Sequence, residues 1–386
     1  VNKLIYIVNQ YSKDQDSHFY HIPHLLEKIA ALNVEIVLII EKANGKPEFK
    51  NKNITVMVQK QISPIKRIVE LFFILKKLNK NGFKKVFIRI SQNAAIPAVV
   101  VTKLFGGEVY YWQSGTTAVF KKPWSFGKEW IKNIVKSDIP FYITKKSVNY
   151  FVTGPESMLD YYRNFVGVDK RKLLLLYNDI NLERFFPVKN EQKAEIMSEL
   201  GLNVDEKIIL FVHRLSPVRK TLYYMPYVFD NLLSIMEDNH YKCVVIGDGS
   251  EKNLLEKLIE ERNIGHLIKV LGGKPNSIIQ QYYKIADIFI NPTYTEGFPR
   301  VLLEAMASGL PIVSTNAGGI KDIFGDKQLC YMVDINDRDT FSEKLLELMK
   351  NNEVRKELSS ENINRVKRYS TENVAKMYVK SMFNHD

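Results

Sequence analysis

The segment from Ile285 to Ile323, IADIFINPTYTEGFPRVLLEAMASGLPIVSTNAGGIKDI, constrains the fold more than any other part of this chain. Ile285 to Ile290 is a short apolar run suited to a buried parallel strand, and Asn291 to Gly297 carries turn chemistry. Pro299 stands where a first helical position tolerates a missing N–H, so a helix is predicted to begin near it. Gly309 is a natural end for that helix, Pro311 blocks its continuation, and Ile312 to Thr315 reads as the next strand. The unit is β-loop-α-β. In open α/β sheets, ligands bind beyond the carboxyl ends of the strands, where free amides and the positive end of a helix dipole attract phosphate. Glu296 then lies in the binding loop and Glu304 about two turns into the helix. This arrangement suits a nucleotide-sugar diphosphate.

Two acids beside a diphosphate would repel it, so their use must come from accepting hydrogen bonds from hydroxyls on a sugar and a ribose. The phosphates need cations from elsewhere. In Phe211 to Leu222, FVHRLSPVRKTL, an apolar strand ending near Val212 is followed by Arg214, Arg219 and Lys220 in a short loop. Arginine grips phosphate oxygens in a bidentate fork, and lysine serves as a point charge.

These residues carry a family resemblance. HRLSPVRK resembles the G-R-L-x(3 or 4)-K signature, and EGFPRVLLEAMASGLPIVSTNAGG the E-x7-E block, of retaining glycosyltransferase family 4. An acidic pair at this spacing is common by chance, and the weight comes from its context. VVIGDGSEKNLLEKL, KVLGG and QYYKIADIFINP follow the order of that family's C-terminal domain, while LLLLYNDINLERFFP and YFVTGPESMLDYY resemble the end of its N-terminal domain. The resemblance is tight from about Ile208 to Ile323 and loose before Lys146.

It implies the α/β GT-B fold, two Rossmann-like domains with parallel sheets facing a central cleft. Residues 1–180 would form the N-terminal acceptor domain and 181–368 the C-terminal donor domain, with a terminal helix at 369–386 packing back on the first. The implied reaction is transfer of a hexose-type sugar from a nucleoside diphosphate sugar, with UDP favoured, to a hydroxyl of a glycan or lipid-linked glycan, with anomeric configuration retained. Arg214, Lys220 and the amides around Gly297, Phe298, Arg300 and Val301 would stabilise charge on the departing diphosphate; Pro299 has no amide to give. Glu296 would hold sugar hydroxyls, Glu304 the ribose, and the turn at Leu271 and Gly272 would line the base pocket. No cofactor and no obligatory metal is expected.

The N-terminal half departs from the family pattern. Where many members have paired glycines after the first strand, this chain has YSKDQDSHFYHIPH, with Ser17 and His18 in the corresponding region. His18, His21 and His24 recur at three-residue spacing, but Pro23 interrupts the pattern and no nearby carboxylate completes a metal site. Gln113 stands where many relatives have a histidine near the transferred sugar. A Gln hydrogen-bonds but shuttles no proton, and its alternative role is a strand cap. Trp112 alternates away, toward the core.

The 386 residues suit two domains, and the two cysteines, Cys243 and Cys330, read as reduced packed thiols. No apolar run approaches the roughly 20 residues that span a bilayer, and Val1 to Val8 reads as a first strand. The expected setting is the cytoplasm, including the inner face of the membrane. Charge is uneven: residues 1–180 carry 28 Lys plus Arg against 14 Asp plus Glu, whereas residues 181–386 carry 27 against 29. Lysines interleave with apolar residues in Phe120 to Lys146, where Trp130, Ile131 and Ile134 can share a helical face, and in Lys66 to Lys85. The first pattern fits contact with an anionic membrane as well as it fits packing; for the second, packing of Leu71 to Leu75 in the core is favoured. Nucleic acid is disfavoured, because arginine is scarce in the basic half and no zinc-ligand or RNA-recognition spacing occurs. A lipid-linked acceptor explains charge and aromatics together.

Short runs at Lys3–Val8, Glu35–Ile40 and Lys85–Ile90 read as strands, with a helix at Tyr20–Leu32, an interdomain linker within Asn181–Asp205 and a second α/β unit from Ile208. Three rivals remain. A nucleotide-sugar epimerase or hydrolase on the same fold would release free sugar. A nicotinamide dehydrogenase rests only on the GxG of GDGSEKNLLEKL. A decayed, membrane-binding module is opposed by the intact set Arg214, Lys220, Glu296 and Glu304.

Overall fold

The computed structural model describes residues 1–12, 20–115 and 138–383. The chain forms two compact units, one of residues 1–179 with the chain from Thr371 onward, the other Ile180–Ser370. In the first, strands β1 (Asn2–Val8), β2 (Val34–Ile40), β3 (Ile54–Val58), β4 (Lys85–Arg89), β5 (Glu108–Trp112), β6 (Tyr150–Thr153) and β7 (Leu173–Leu175) form one sheet in the order 3-2-1-4-5-6-7. Every pairing is parallel; Leu4 to Val8 lie opposite Lys85 to Arg89. Successive residues Leu4 to Ile7 are all fully buried, as a strand covered on both faces requires.

Helices α1 (Ile22–Ala30), α2 (Pro64–Lys80), α3 (Gln92–Phe105) and α4 (Ile139–Ser147) belong to this unit. Leu71 and Leu75 of α2 enter the core with Ile5, Ile7 and Ile88, which accounts for one face of that helix. The opposite face is not polar: Ile65, Val69 and Phe73 are exposed, so the core packing expected of Lys66–Lys85 describes only half of it. The stretch Phe120–Lys136, Trp130 included, lies outside the described residues. The C-terminal helix Thr371–Phe383 packs in the first unit against α1, with Lys28 Nζ 2.6 Å from Glu372 Oε1 and the Tyr378 ring 5.1 Å from Phe87.

The second unit repeats the design. Strands β8 (Lys207–Val212), β9 (Tyr241–Ile246), β10 (Ile268–Val270), β11 (Ile288–Asn291), β12 (Ile312–Thr315) and β13 (Met332–Val333) form a parallel sheet in the order 3-2-1-4-5-6 within the unit. Strand order reverses between β8 and β11, so the loops after Val212 and Asn291 flank the crevice where such sheets take ligands. Two expectations are corrected here. Ile285 ends helix α5 (Asn276–Ile285), and the strand begins three residues later, because Ile285 packs as the last turn of an amphipathic helix. Asn181–Asp205 is part of the second unit: it contains a helix, Asn190–Glu199, whose Lys193 pairs with Asp287 at 2.7 Å. Both thiols are free, Cys243 buried in β9 and Cys330 exposed.

Glu41, just past β2, is buried and accepts from the Ser91 hydroxyl. Burial pushes its carboxyl above the usual range, against the lowering by Ser91 and the Arg67 charge. Ionised Glu41 therefore subtracts stability above the unfolded carboxyl value of about 4.3 and not below it. Glu41→Gln should raise the melting temperature more at neutral pH than at about pH 4; an equal change at both would show that ionisation there is not costly.

Candidate functional site

Glu296 lies in the loop after β11, and its position is set by the ends of two strands. Asn291 Nδ2 donates to Ser314 Oγ at 3.0 Å and the Thr293 amide to Thr315 Oγ1 at 3.0 Å, tying the loop to fully buried residues of β12. Helix α6 (Arg300–Ala307) follows, with Pro299 as its N-cap and Gly309, at φ 74°, just past its end. Glu304 is buried in α6 about one turn from Arg300, not two: the helix starts where Pro299 sets it, and the residues from there to Glu304 make little more than one turn.

The loop after β8 supplies the partners of Glu296. His213 Nε2 lies 2.7 Å from Glu296 Oε1 and Arg219 Nη1 2.5 Å from the same oxygen. Arg219 also donates to the Thr295 carbonyl, and its own carbonyl accepts from the Tyr294 amide at 3.2 Å. An ionised carboxylate only accepts, so His213 must carry its proton on Nε2 to bond here. Burial alone would raise the Glu296 carboxyl; the Arg219 charge and the His213 hydrogen bond outweigh it and hold the group below the usual carboxylate range. The second oxygen, Oε2, faces the Gly297 amide at 3.3 Å.

Three cations were expected in this loop, and the structure divides them. Arg219 is committed to Glu296. Arg214 is exposed, and among the described residues neither it nor Lys220 has a carboxylate partner. Lys220 adopts a left-handed backbone, φ 51°, which carries its ammonium to 3.8 Å from the Tyr294 ring centroid and 5.7 Å from that of Tyr223. A cation resting on aromatic faces keeps its hydrogen-bond donors available to an anion.

The glycines of GDG have a reason of their own. A Cβ on Gly247 would sit 1.8 Å from the His213 carbonyl oxygen, and one on Gly249 1.9 Å from that of Leu215. They are demanded by the close passage of the loop that carries His213, which removes the support they lent to a dinucleotide fold. Leu271 and Gly272 continue this neighbourhood: the Leu271 amide donates to Val245 O at 2.9 Å and the Gly247 amide to Gly272 O at 3.0 Å.

Glu296, Gly297, Phe298, Arg300, Val301, Glu304, Arg214, Lys220, Leu271 and Gly272 thus all belong to the second unit, in or beside loops at the carboxyl end of its sheet. The Phe298 side chain is buried against Tyr369, ring centroids 5.5 Å apart, so any contact with a ligand falls to its backbone. Gln113 is in the first unit, at the end of β5, where its Oε1 accepts from Tyr111 OH at 3.2 Å and its amide donates to Val152 O at 2.9 Å, the bonds of a strand cap. His21 is buried at the start of α1, whereas Ser17 and His18 lie outside the described residues. Sequence reasoning gave no role to His213 and only a phosphate role to Arg219. The signal was present, since His213 stands where the G-R-L signature has glycine.

Residues 192–365 match the family described as glycosyl transferases group 1. An uncharacterized glycosyltransferase of Methanocaldococcus jannaschii is 30% identical over 173 residues, 45% of this chain and 43% of that protein. The UDP-Gal:alpha-D-GlcNAc-diphosphoundecaprenol alpha-1,3-galactosyltransferase of Escherichia coli is 29% identical over 185 residues, 46% of each chain. The match to these two curated relatives thus spans less than half of their length. In three dimensions the likeness in fold extends over the whole chain: Anabaena HepE, solved with UDP and glucose, matches with a TM-score of 0.75 over 100% of both chains at 12% identity.

Acid should expose the Glu296 arrangement. A carboxyl depressed in the fold adds stability above its unfolded value, about 4.3, and loses that contribution as pH falls through the lower folded value. The melting-temperature difference between the parent and Glu296→Gln should be largest near pH 6 and shrink on acidification below about pH 4. A constant difference would contradict the depressed carboxyl. Taken together, the chain has the fold of the GT-B glycosyltransferases, and most of its second unit, residues 192–365, is similar in sequence to the glycosyl transferases group 1.

Proposed function

We propose that the protein is a retaining glycosyltransferase that moves a sugar from a nucleoside diphosphate sugar, UDP-linked by preference, to a hydroxyl of a glycan or lipid-linked glycan acceptor. The observation that carries this reading is the Glu296 carboxylate, charge-paired by Arg219 and hydrogen-bonded by His213 at the switch point of the second unit, beside Lys220 and the amino end of α6. Pairing within the protein lets a carboxylate stand near a diphosphate with much of its charge offset.

In the proposed reaction the bond from the anomeric carbon to the diphosphate oxygen breaks, and the acceptor oxygen bonds to that carbon. The acceptor proton passes to the departing phosphate. Lys220, Arg214 and the amides of Arg300 and Val301 stabilise the charge that collects there, a task for preorganised cations and amides that calls on no metal. Glu296 Oε2 receives sugar hydroxyls, and Glu304 the ribose. The Escherichia coli relative's name joins UDP-Gal with a diphosphoundecaprenol-linked acceptor, which supports a UDP donor and a lipid-linked acceptor here. Synthesis of surface polysaccharide or glycolipid, with peripheral contact at an anionic membrane face, fits that chemistry.

Isothermal titration against UDP, GDP and their sugars tests the donor site, and Glu304→Ala should weaken nucleotide binding about tenfold. Lys220→Ala should slow transfer by roughly a hundredfold while binding changes little. Parent-like kinetics in both variants would sink the assignments. The anomeric configuration of the product, read by NMR, should match that of the donor; inversion refutes retention, and free sugar released at the full rate without acceptor favours the epimerase or hydrolase.

A further inference from the structure

An ordinary amphipathic helix on an α/β sheet turns its apolar stripe inward and its polar stripe to water. Helix α2 is apolar on both sides. Leu71 and Leu75 are buried, while Ile65, Val69 and Phe73, spaced four residues apart on the outward side, are 75%, 50% and 61% exposed. Ile62, just before the helix, is 91% exposed. On the neighbouring helix α3, Val100 and Leu104 are 41% and 65% exposed. The two helices are tied at their ends: Asn79 Nδ2 donates to the Gly106 carbonyl at 2.7 Å, and Lys76 Nζ lies 5.5 Å from the Phe105 ring centroid.

The charge around this face has one sign. From Lys60 to Phe105 there are eight Lys and two Arg against a single acid, Glu70. That acid is occupied, accepting from the amides of Lys60 and Gln61 at 2.9 and 3.1 Å. Lys66, Lys77, Lys80 and Lys103 are exposed on the same two helices as the apolar residues.

We propose that the outward face of α2 and α3 docks the protein on an anionic lipid bilayer, with Ile65, Val69 and Phe73 entering the headgroup region and the lysines meeting lipid phosphates. Exposed apolar side chains flanked by lysine are the composition that binds such an interface. A second copy of this chain is a poorer occupant, because a two-fold contact would set lysines against lysines, and protein interfaces are depleted in lysine. The inference deepens the lipid-linked acceptor reading and rests on it for its purpose. The stripe begins at Ile62, shortly after β3, at the carboxyl end of the first unit's sheet, where an acceptor drawn from the bilayer would meet the protein.

The test is sedimentation of the full chain with vesicles of phosphatidylcholine, with and without about a third phosphatidylglycerol. The protein should bind the anionic vesicles, bind neutral ones at least about tenfold more weakly, and release in high salt. The triple substitution Ile65→Ser, Val69→Ser, Phe73→Ser should lower partition at least about tenfold while melting remains cooperative. Lys66→Glu with Lys77→Glu and Lys80→Glu, which leaves the apolar stripe intact, should lower it comparably. Parent-like binding by both variants, or a parent that ignores anionic vesicles, overturns the proposal. So does a dimeric parent that the triple substitution turns into monomers without changing vesicle binding. Titration with the nucleotide sugar separates the two readings: vesicle binding without donor binding refutes the transferase and leaves the docking face, and the reverse refutes the docking face alone.

Discussion

The second unit is organised around one buried carboxylate. Glu296 stands at a position where burial disfavours its charge, and it remains charged because two groups from a different loop point at the same oxygen. That contact joins the loops after β8 and β11, the two strands between which the sheet reverses its order. Removing Arg219 would take away the charge that offsets Glu296 at a position where burial disfavours ionisation. The glycines at 247 and 249 let the loop after β9 pass close to the loop that carries His213, and the buried hydroxyls of Ser314 and Thr315 fix where the Glu296 loop begins.

Charge is thereby partitioned by function. Arg219 is used inside the protein, whereas Lys220, the next residue, is swung by a left-handed backbone onto the face of Tyr294. Adjacent cations thus end in different electrostatic environments, one neutralised and one available. The first unit divides charge in another way. Its buried Arg89 lies 4.0 Å from the Trp112 ring centroid and bonds Asn178, while most of its lysines stay outside with an apolar stripe among them.

Much of the fold was legible because it rests on local chemistry. Strand β12 falls at Ile312 to Thr315 as the apolar run between Pro311 and Asn316 predicts, and α6 starts and stops at Pro299 and Gly309 for the reasons proline and glycine give. The errors came where two elements share one apolar run. Ile285 reads as strand by composition, yet it closes a helix because the periodicity of Ile279, Tyr282 and Tyr283 reaches it from behind. Glu304 lies about one turn into α6 rather than two although the helix starts where Pro299 predicts, because the few residues between them make little more than one turn.

The sequence by itself determined two α/β units, the loop-helix unit that carries Glu296 and Glu304, and the cluster of cations after β8, because turn residues, alternation and spacing act over a few positions. Only the tertiary structure decided which cation meets which acid. His213 and Arg219 lie 83 and 77 residues from Glu296, and their convergence on one oxygen depends on the order of strands in the sheet. Nor could periodicity alone tell which apolar stripe of α2 would be buried. A helix with two apolar faces has one core to enter, and the packing of Leu71 and Leu75 against the sheet left Ile65, Val69 and Phe73 outside.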